Sequence, residues 1–399
     1  MSGAAPKEKV VELGDVCQLL SGGTPSKERD DYWGGNIPWV TARDLKTSFL
    51  ERTGISLTSL GASGLKRAPA GAILVLVRGM TLFKDVPITI LSQPMCFNQD
   101  IKALIVDERQ SSRYLAYQLI ARKAQIQRLV DSAGHGTGRL NTDLLKSLPL
   151  KFPSLAEQEK VASSLVAVDQ RLELLRQKAT ELRAFKAGLM QKLFSQEIRF
   201  TRDDGSEFPD WENKRLSEVF DEVDDKVGQR ALPTFSISAG RGFVSQAEKF
   251  GRDISGQQNE RYTVLSEGDF SYNKGNSKQY QFGCIYPNDT GMKIAVPNVF
   301  ISFRRKAAHS SIGFFAKLFE SKFLDRGLRT LISSGARMDG LLNVSKADFF
   351  RLSVPFPHPN EQRKIADALT ALDTKITAVQ SQITEMEAFK KGLLQQMFV

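Results

Sequence analysis

The side chains that could do chemistry in this chain are lysines, arginines and amides set in glycine-rich loops, rather than nucleophiles or metal ligands. In the first half they lie in Ser21–Gly35 (SGGTPSKERDDYWGG), Thr41–Lys46 (with Arg43 and Lys46), Arg78–Lys84, and His135–Arg139. In the second half they are Ser238–Gly242 (with Arg241), Asn273–Gln281 (with Asn273, Lys274, Asn276, Lys278 and Gln279) and Ser333–Arg337. Lysine and arginine neutralise phosphate, and Arg, Asn and Gln can make paired hydrogen bonds to base edges. The competing reading of any one of them is a solvated surface side chain. Tyr32 and Trp33 can equally pack their own loop.

Catalytic constellations find little support. His135, His309 and His358 are far apart in sequence, and Cys17, Cys96 and Cys284 form no CxxC pair, so neither a zinc site nor a disulfide framework is indicated. There is no GxxxxGK[ST], no HExxH and no Pro-Pro pair, and the last point excludes the Asn/Asp-Pro-Pro-aromatic motif of amino-methyltransferases. Gly134-His135-Gly136-Thr137-Gly138 follows a helical pattern rather than a strand. That makes it a poor dinucleotide fingerprint; a loop presenting amides to phosphate, or a plain turn, fits better. Asp224-Asp225-Lys226 looks like a nuclease (D/E)xK but lies in an acidic stretch and reads as solvated linker. No cofactor and no metal are expected.

The charge is unevenly spread. Of the net +10, residues 1–150 carry +5 and 230–354 carry +8, whereas 200–229 carry −6. Two basic segments suit a polyanionic partner, although basic excess also serves solubility. The start (MSGAAPKEKVVELG) has no signal-like apolar stretch, and Ala72–Val77 is too short to span a bilayer, so a cytoplasmic location and no membrane are expected.

The frame that must position these loops is written twice. Residues 148–194 align without a gap with 352–398, 204 positions later, and 19 of 47 residues are identical. Val161, Leu165, Val168, Leu172, Leu175, Ala179 and Leu182 alternate in steps of four and three, as do Ile365, Leu369, Leu372, Ile376, Val379, Ile383 and Met386. This is a coiled-coil seam. It falters at the same place in both copies, where Lys186 and Lys390 occupy the seam beside Phe185 and Phe389. Ser154-x-x-Glu157 predicts a capping box, and Asn360 a cap for the second helix. An amphipathic stripe of this length is not stable alone, so the two helices bury each other or each packs on its own module. The flawed seam, with Leu189, Phe194, Leu393 and Phe398, marks a candidate partner-docking patch, the alternative being that these aromatics finish the core.

Each helix follows a mixed α/β module. Strands are predicted at Ala72–Val77, Ile101–Val106, Gly268–Tyr272 and Val299–Phe303, with helices over Ser112–Val130 and around Ile312–Ile332. Leu13-Gly14-Asp15-Val16 matches Leu216-Ser217-Glu218-Val219, and beyond such echoes the modules diverge. The expected organisation is α+β: residues 1–150 and 201–354 as two modules, 151–200 and 355–399 as two long helices forming an intramolecular coiled coil.

Two F-P-x-x-x-E-Q-x-K-[IV]-A segments (Phe152–Ala162, Phe356–Ala366), two F-K-x-G-L-x-Q-x-x-F endings (Phe185–Phe194, Phe389–Phe398), the phrase Leu13…Trp39 and Phe208-Pro209-Asp210-Trp211 are similar to the DNA-specificity subunits of Type I restriction–modification systems. The resemblance spans nearly the whole chain, and only Asp221–Tyr286 is individual. It implies a non-catalytic subunit with two target-recognition domains, each binding half of a bipartite, asymmetric site in double-stranded DNA. Its helices would form an intramolecular antiparallel coiled coil, set the gap and dock two adenine-methylating subunits that use S-adenosylmethionine, and two restriction subunits could join them. A stand-alone coiled-coil DNA-binding scaffold is the alternative.

Overall fold

The computed structural model describes residues 9–133, 136–250, 256–275, 279–306, 310–332 and 341–399. His135, Asn276, Lys278 and Arg337, four of the candidate DNA-binding residues, lie outside them. The chain divides into two compact units: Met1–Gln177 with Gln380–Val399, and Lys178–Val379. Each unit is a mixed α/β module completed by a stretch from each of two 40-residue helices, Leu155–Phe194 and Pro359–Phe398.

In the first unit, Lys9–Glu12 pairs antiparallel with Pro149–Phe152, the strand that leads into the first long helix. The central sheet runs in the order Cys17–Ser21, Ile101–Val106, Ile73–Leu76, Ile88–Leu91, Phe49–Leu50. Ile73–Leu76 is buried along its whole length, as its unbroken aliphatic run requires of a strand covered on both faces. The helix predicted over Ser112–Val130 is two helices, Ser112–Ala121 and Lys123–Gln127, and Val130 opens a strand. Apolar spacing spans the break at Arg122 and therefore does not reveal it. Within this unit the long helices run antiparallel: Asp169 meets Lys390, and Arg176, further along the first helix, meets Glu387, earlier on the second.

The second unit repeats the plan with different filling. Glu212–Arg215 pairs with Ser353–Phe356, and Leu216 N–H bonds the carbonyl of Leu352 at 2.7 Å, as Leu13 N–H bonds that of Leu148 at 3.0 Å in the first. Its sheet, in the order Phe220–Glu222, Ile301–Arg305, Phe270–Asn273, Cys284–Pro287, is packed by Phe220, Phe270, Phe303, Phe315 and Phe319. Two predicted strands therefore sit about two residues later than expected, because Gly268 takes a turn at φ +80° and Phe300 closes a turn onto Pro297. The predicted Ile312–Ile332 helix breaks at Lys322 (φ +61°) into Ile312–Glu320 and Asp325–Leu331. Asp224-Asp225-Lys226 is exposed, as expected, but it is not a free linker: Val223 and Val227 on either side are buried, and Lys226 bridges to Thr263. Asp224 pairs with Lys226, and Asp225 with Arg230.

The repeated residues of the helices make the same contacts in each unit. Gln158 accepts the N–H of Ser111 at 3.0 Å and donates to the Pro153 carbonyl at 2.9 Å. Gln362 does the same with Ser311 and Pro357, both at 2.9 Å. Ser111 and Ser311 in turn cap Ser112–Ala121 and Ile312–Glu320, so each signature glutamine ties the start of a long helix to the start of its module's helix. The capping box forms: the Ser154 N–H donates to Glu157 Oε2 at 3.1 Å and the Glu157 N–H to Ser154 Oγ at 3.4 Å. The second helix is capped differently from expectation: Pro359 takes the first helical position, and His358 Nδ1 accepts the Asn360 N–H at 3.3 Å. This frees Glu361, fully buried, to accept both Arg199 (2.9 and 3.1 Å) and the Trp211 indole (2.9 Å).

Candidate nucleic-acid interface

Arg78 and Arg139 stand directly opposite each other. Arg78–Gly79 pairs antiparallel with Thr137–Leu140, register Arg139↔Arg78, and Asp131 flanks Arg139 on the next strand. Directly opposed residues project from the same face of a sheet. Both arginines are exposed, and neither forms an ion pair among the described residues. Glycines permit this close pairing: Gly79 takes φ +148°, and a Cβ on Gly138 would lie 3.1 Å from both the Gly79 carbonyl and Leu82. Met80 and Phe83 project beside them, 75% and 48% exposed, and Lys84 ends that turn in the open. Like charges set directly opposite each other cost stability, and Asp131, opposite Arg139 on its other side, is the one acid in that row.

Arg78 N–H bonds the Asp100 carbonyl, which links this sheet to a cleft of about 720 Å³ lined by Lys27, Trp39, Arg43, Asn98, Gln99 and Asp100, among others. Arg43 and Lys46 are exposed on the Thr41–Lys46 turn, which Asp44 holds by accepting the Thr41 N–H at 2.8 Å. Trp33 and Trp39 pack edge to face at 5.2 Å, and their indoles donate to the Ser26 and Gly23 carbonyls. Trp33 therefore organises its loop. Asn98, Gln99 and Asp100 were not singled out in the sequence; a three-residue polar turn between buried strands is the signal that marks them.

In the second unit the expected residues are largely engaged. Arg241 pairs with Glu248 at 2.5 Å. Asn273 Oδ1 accepts the Gly275 N–H, and the Lys274 carbonyl accepts the Leu342 N–H, so both residues hold the turn. Gln279 gives its carbonyl to Lys322 Nζ at 2.8 Å and lines a cavity of about 430 Å³ with Gln281, Phe282, Lys322, Asp325, Arg326 and Arg329. Burial pushes the Asp325 carboxyl up, against the opposing pull of Lys322 and Arg329. These helix cations were missed because the sequence reading looked to loops.

The proposed docking patch separates into two sets. Lys186 and Lys390 are the buried ion pairs of the seam. Lys186 meets Asp373 at 2.5 Å and also Glu320, and Lys390 meets Asp169 at 2.6 Å. Burial pushes the Asp373 carboxyl up, but hydrogen bonds from Lys186 and Lys317 outweigh it and leave the group below the usual range. Burial, reinforced by Asp169, pushes the Tyr117 phenol up. Phe194 and Phe398 are core, and Leu189 and Leu393 pack against it. Phe185 and Phe389 alone among these candidates are well exposed, 61% and 55%.

The model of the Type I restriction modification DNA specificity domain matches residues 7–184 and 209–388. The Escherichia coli EcoR124I/EcoR124II specificity subunit is 29% identical over 41% of this chain and 42% of its own length. The Methanocaldococcus jannaschii MjaIX specificity subunit is 28% identical over 54% of the chain and 52% of its own. The chain thus spans about half the length, or less, of these relatives. Among solved structures, the S subunit of a type I system from M. genitalium superposes with a TM-score of 0.59 at 16% identity, covering 98% of this chain and 96% of that one.

Proposed function

We propose that this chain, which belongs to the Type I restriction–modification DNA-specificity family, is the subunit that chooses where a multi-subunit methyltransferase acts. Each unit would read one half of a bipartite, asymmetric duplex site, and the paired helices would set the gap. One module reading a few base pairs, at about 1–3 kcal/mol of discrimination per good contact, cannot single out a genomic site. Two modules on a common frame make the second contact intramolecular, so their selectivities multiply. The observation that carries this reading is the constancy of the frame against the divergence of the loops. Gln158/Gln362, Asp169/Asp373 and Lys186/Lys390 repeat at one offset with like contacts, while the loops that carry the modules' basic residues differ in sequence.

The chemistry would be supplied by two adenine-methylating subunits using S-adenosylmethionine, and two restriction subunits could join that core. Methylome sequencing of cells with and without the gene tests the whole reading. Methylated adenines in a two-part motif should vanish on deletion; an unchanged methylome favours the stand-alone scaffold.

For docking, we infer that Phe185 and Phe389 contact the methylating subunits. Gly188 and Gly392, three residues on, share their helix face, and a Cβ at either would meet nothing within 4 Å. A mid-helix glycine costs about 1 kcal/mol relative to alanine, and no contact inside either unit accounts for it. Phe185→Ala with Phe389→Ala should cut co-purification of a methylating subunit at least tenfold while circular dichroism stays unchanged. Intact co-purification would refute the assignment.

A further inference from the structure

Among the described residues of the second unit's expected loops, Arg241 is paired and Asn273 and Lys274 hold a turn. Three other cations of the unit lie together elsewhere. Lys322, Arg326 and Arg329 line the cavity of about 430 Å³ together with Gln279 and Gln281. Arg326 and Arg329, three residues apart, share a face of the Asp325–Leu331 helix, and Lys322 lines the same cavity from the turn before it. Arg326 and Arg329 are exposed and form no ion pair among the described residues. Asp325 is the one carboxylate among the cavity's lining residues, so three cations face a single acid there, and Arg326 and Arg329 repel each other at their spacing. The cluster is nevertheless held in place. Lys322 sits at φ +61° with its ammonium on the Gln279 carbonyl, and Arg329 lies over the Phe282 ring at 5.5 Å. The first unit has no such cluster at its matching helix, Lys123–Gln127, where Lys123 is paired with Asp85 at 2.9 Å.

We propose that this cavity is the second unit's DNA-backbone grip: Lys322, Arg326 and Arg329 bind phosphate, and the Gln279 and Gln281 amides serve the adjoining base edges. The proposal rests on the DNA-specificity reading and deepens it. It moves the unit's contact surface from the Arg241 and Asn273–Lys274 loops to a helix that the sequence did not recommend.

The test uses the full chain with its methylating subunits, and duplexes carrying the motif found by methylome mapping. Each lost phosphate contact lowers the slope of log affinity against log salt by about 0.9, so Arg326→Ala with Arg329→Ala should reduce it by about 2. Footprint protection should disappear over one half of the site and persist over the other. Arg326→Lys with Arg329→Lys, which keeps the charge, should retain most of the slope and so distinguish lost phosphate contacts from misfolding. An unchanged slope and footprint in the alanine variant, with the parent binding selectively, overturns the grip and leaves the functional reading standing. A parent protein that protects no defined site overturns both.

Discussion

Lys390→Met is expected to destabilise the first unit by about 3–5 kcal/mol, the cost of removing one member of a buried ion pair. Lys390 Nζ lies 2.6 Å from Asp169 and 3.3 Å from Ser48 Oγ, and 5.5 Å from the Tyr117 ring centre. Asp169 also accepts the Tyr117 hydroxyl at 2.8 Å. Both charged side chains are nearly enclosed, at 16% and 12% exposure, so methionine leaves a carboxylate that water cannot compensate. One ammonium thereby ties the second long helix to the first and to the module's Ser112–Ala121 helix. Hydrogen exchange should show lost protection in Ser112–Ala121 and Ile101–Val106 while Ile312–Glu320 of the other unit keeps its own. Adding Asp169→Asn, which still accepts from Tyr117 and carries no charge, should recover most of the loss. A single variant within 0.5 kcal/mol of the parent would show that the pair contributes nothing beyond its surroundings.

Those lysines also mark where the sequence could be read and where it could not. The duplication, the two long helices, their shared seam and the α+β modules were legible because a repeat at fixed offset and a 4–3 apolar rhythm are one-dimensional signals; the antiparallel direction came only from the family resemblance. The same rhythm made Lys186 and Lys390 look like flaws facing outward. Their partners, Asp373 with Glu320 and Asp169, lie 187, 134 and 221 residues away, and no local pattern announces such pairs. The break at Lys322 escaped for a related reason: the apolar spacing runs through it, and its left-handed backbone is a tertiary outcome. Basic residues are the least legible of all. Composition puts Arg241 and Arg78 in the same class, yet Glu248 neutralises one, and the other faces a cross-strand arginine and forms no ion pair among the described residues.

That contrast singles out Arg78 and Arg139 for a direct test on the first unit. Replacing both with alanine should weaken DNA binding by about 2–6 kcal/mol if each makes a good paired contact to a base, roughly thirtyfold to ten-thousandfold. The same change should leave folding stability level or slightly raised, because it removes two like charges set opposite each other. The direction of the stability change separates a binding role from a structural one: residues that hold a fold together do not relieve strain when deleted. Gly138→Ala is the complementary probe. It keeps both charges but drives a methyl to 3.1 Å from the Gly79 carbonyl and Leu82, so it should spread the two strands and blunt binding without altering net charge. Salt titrations of the three proteins on one duplex would sort the contributions. Full affinity in the double alanine variant would remove this sheet from the DNA-contacting surface.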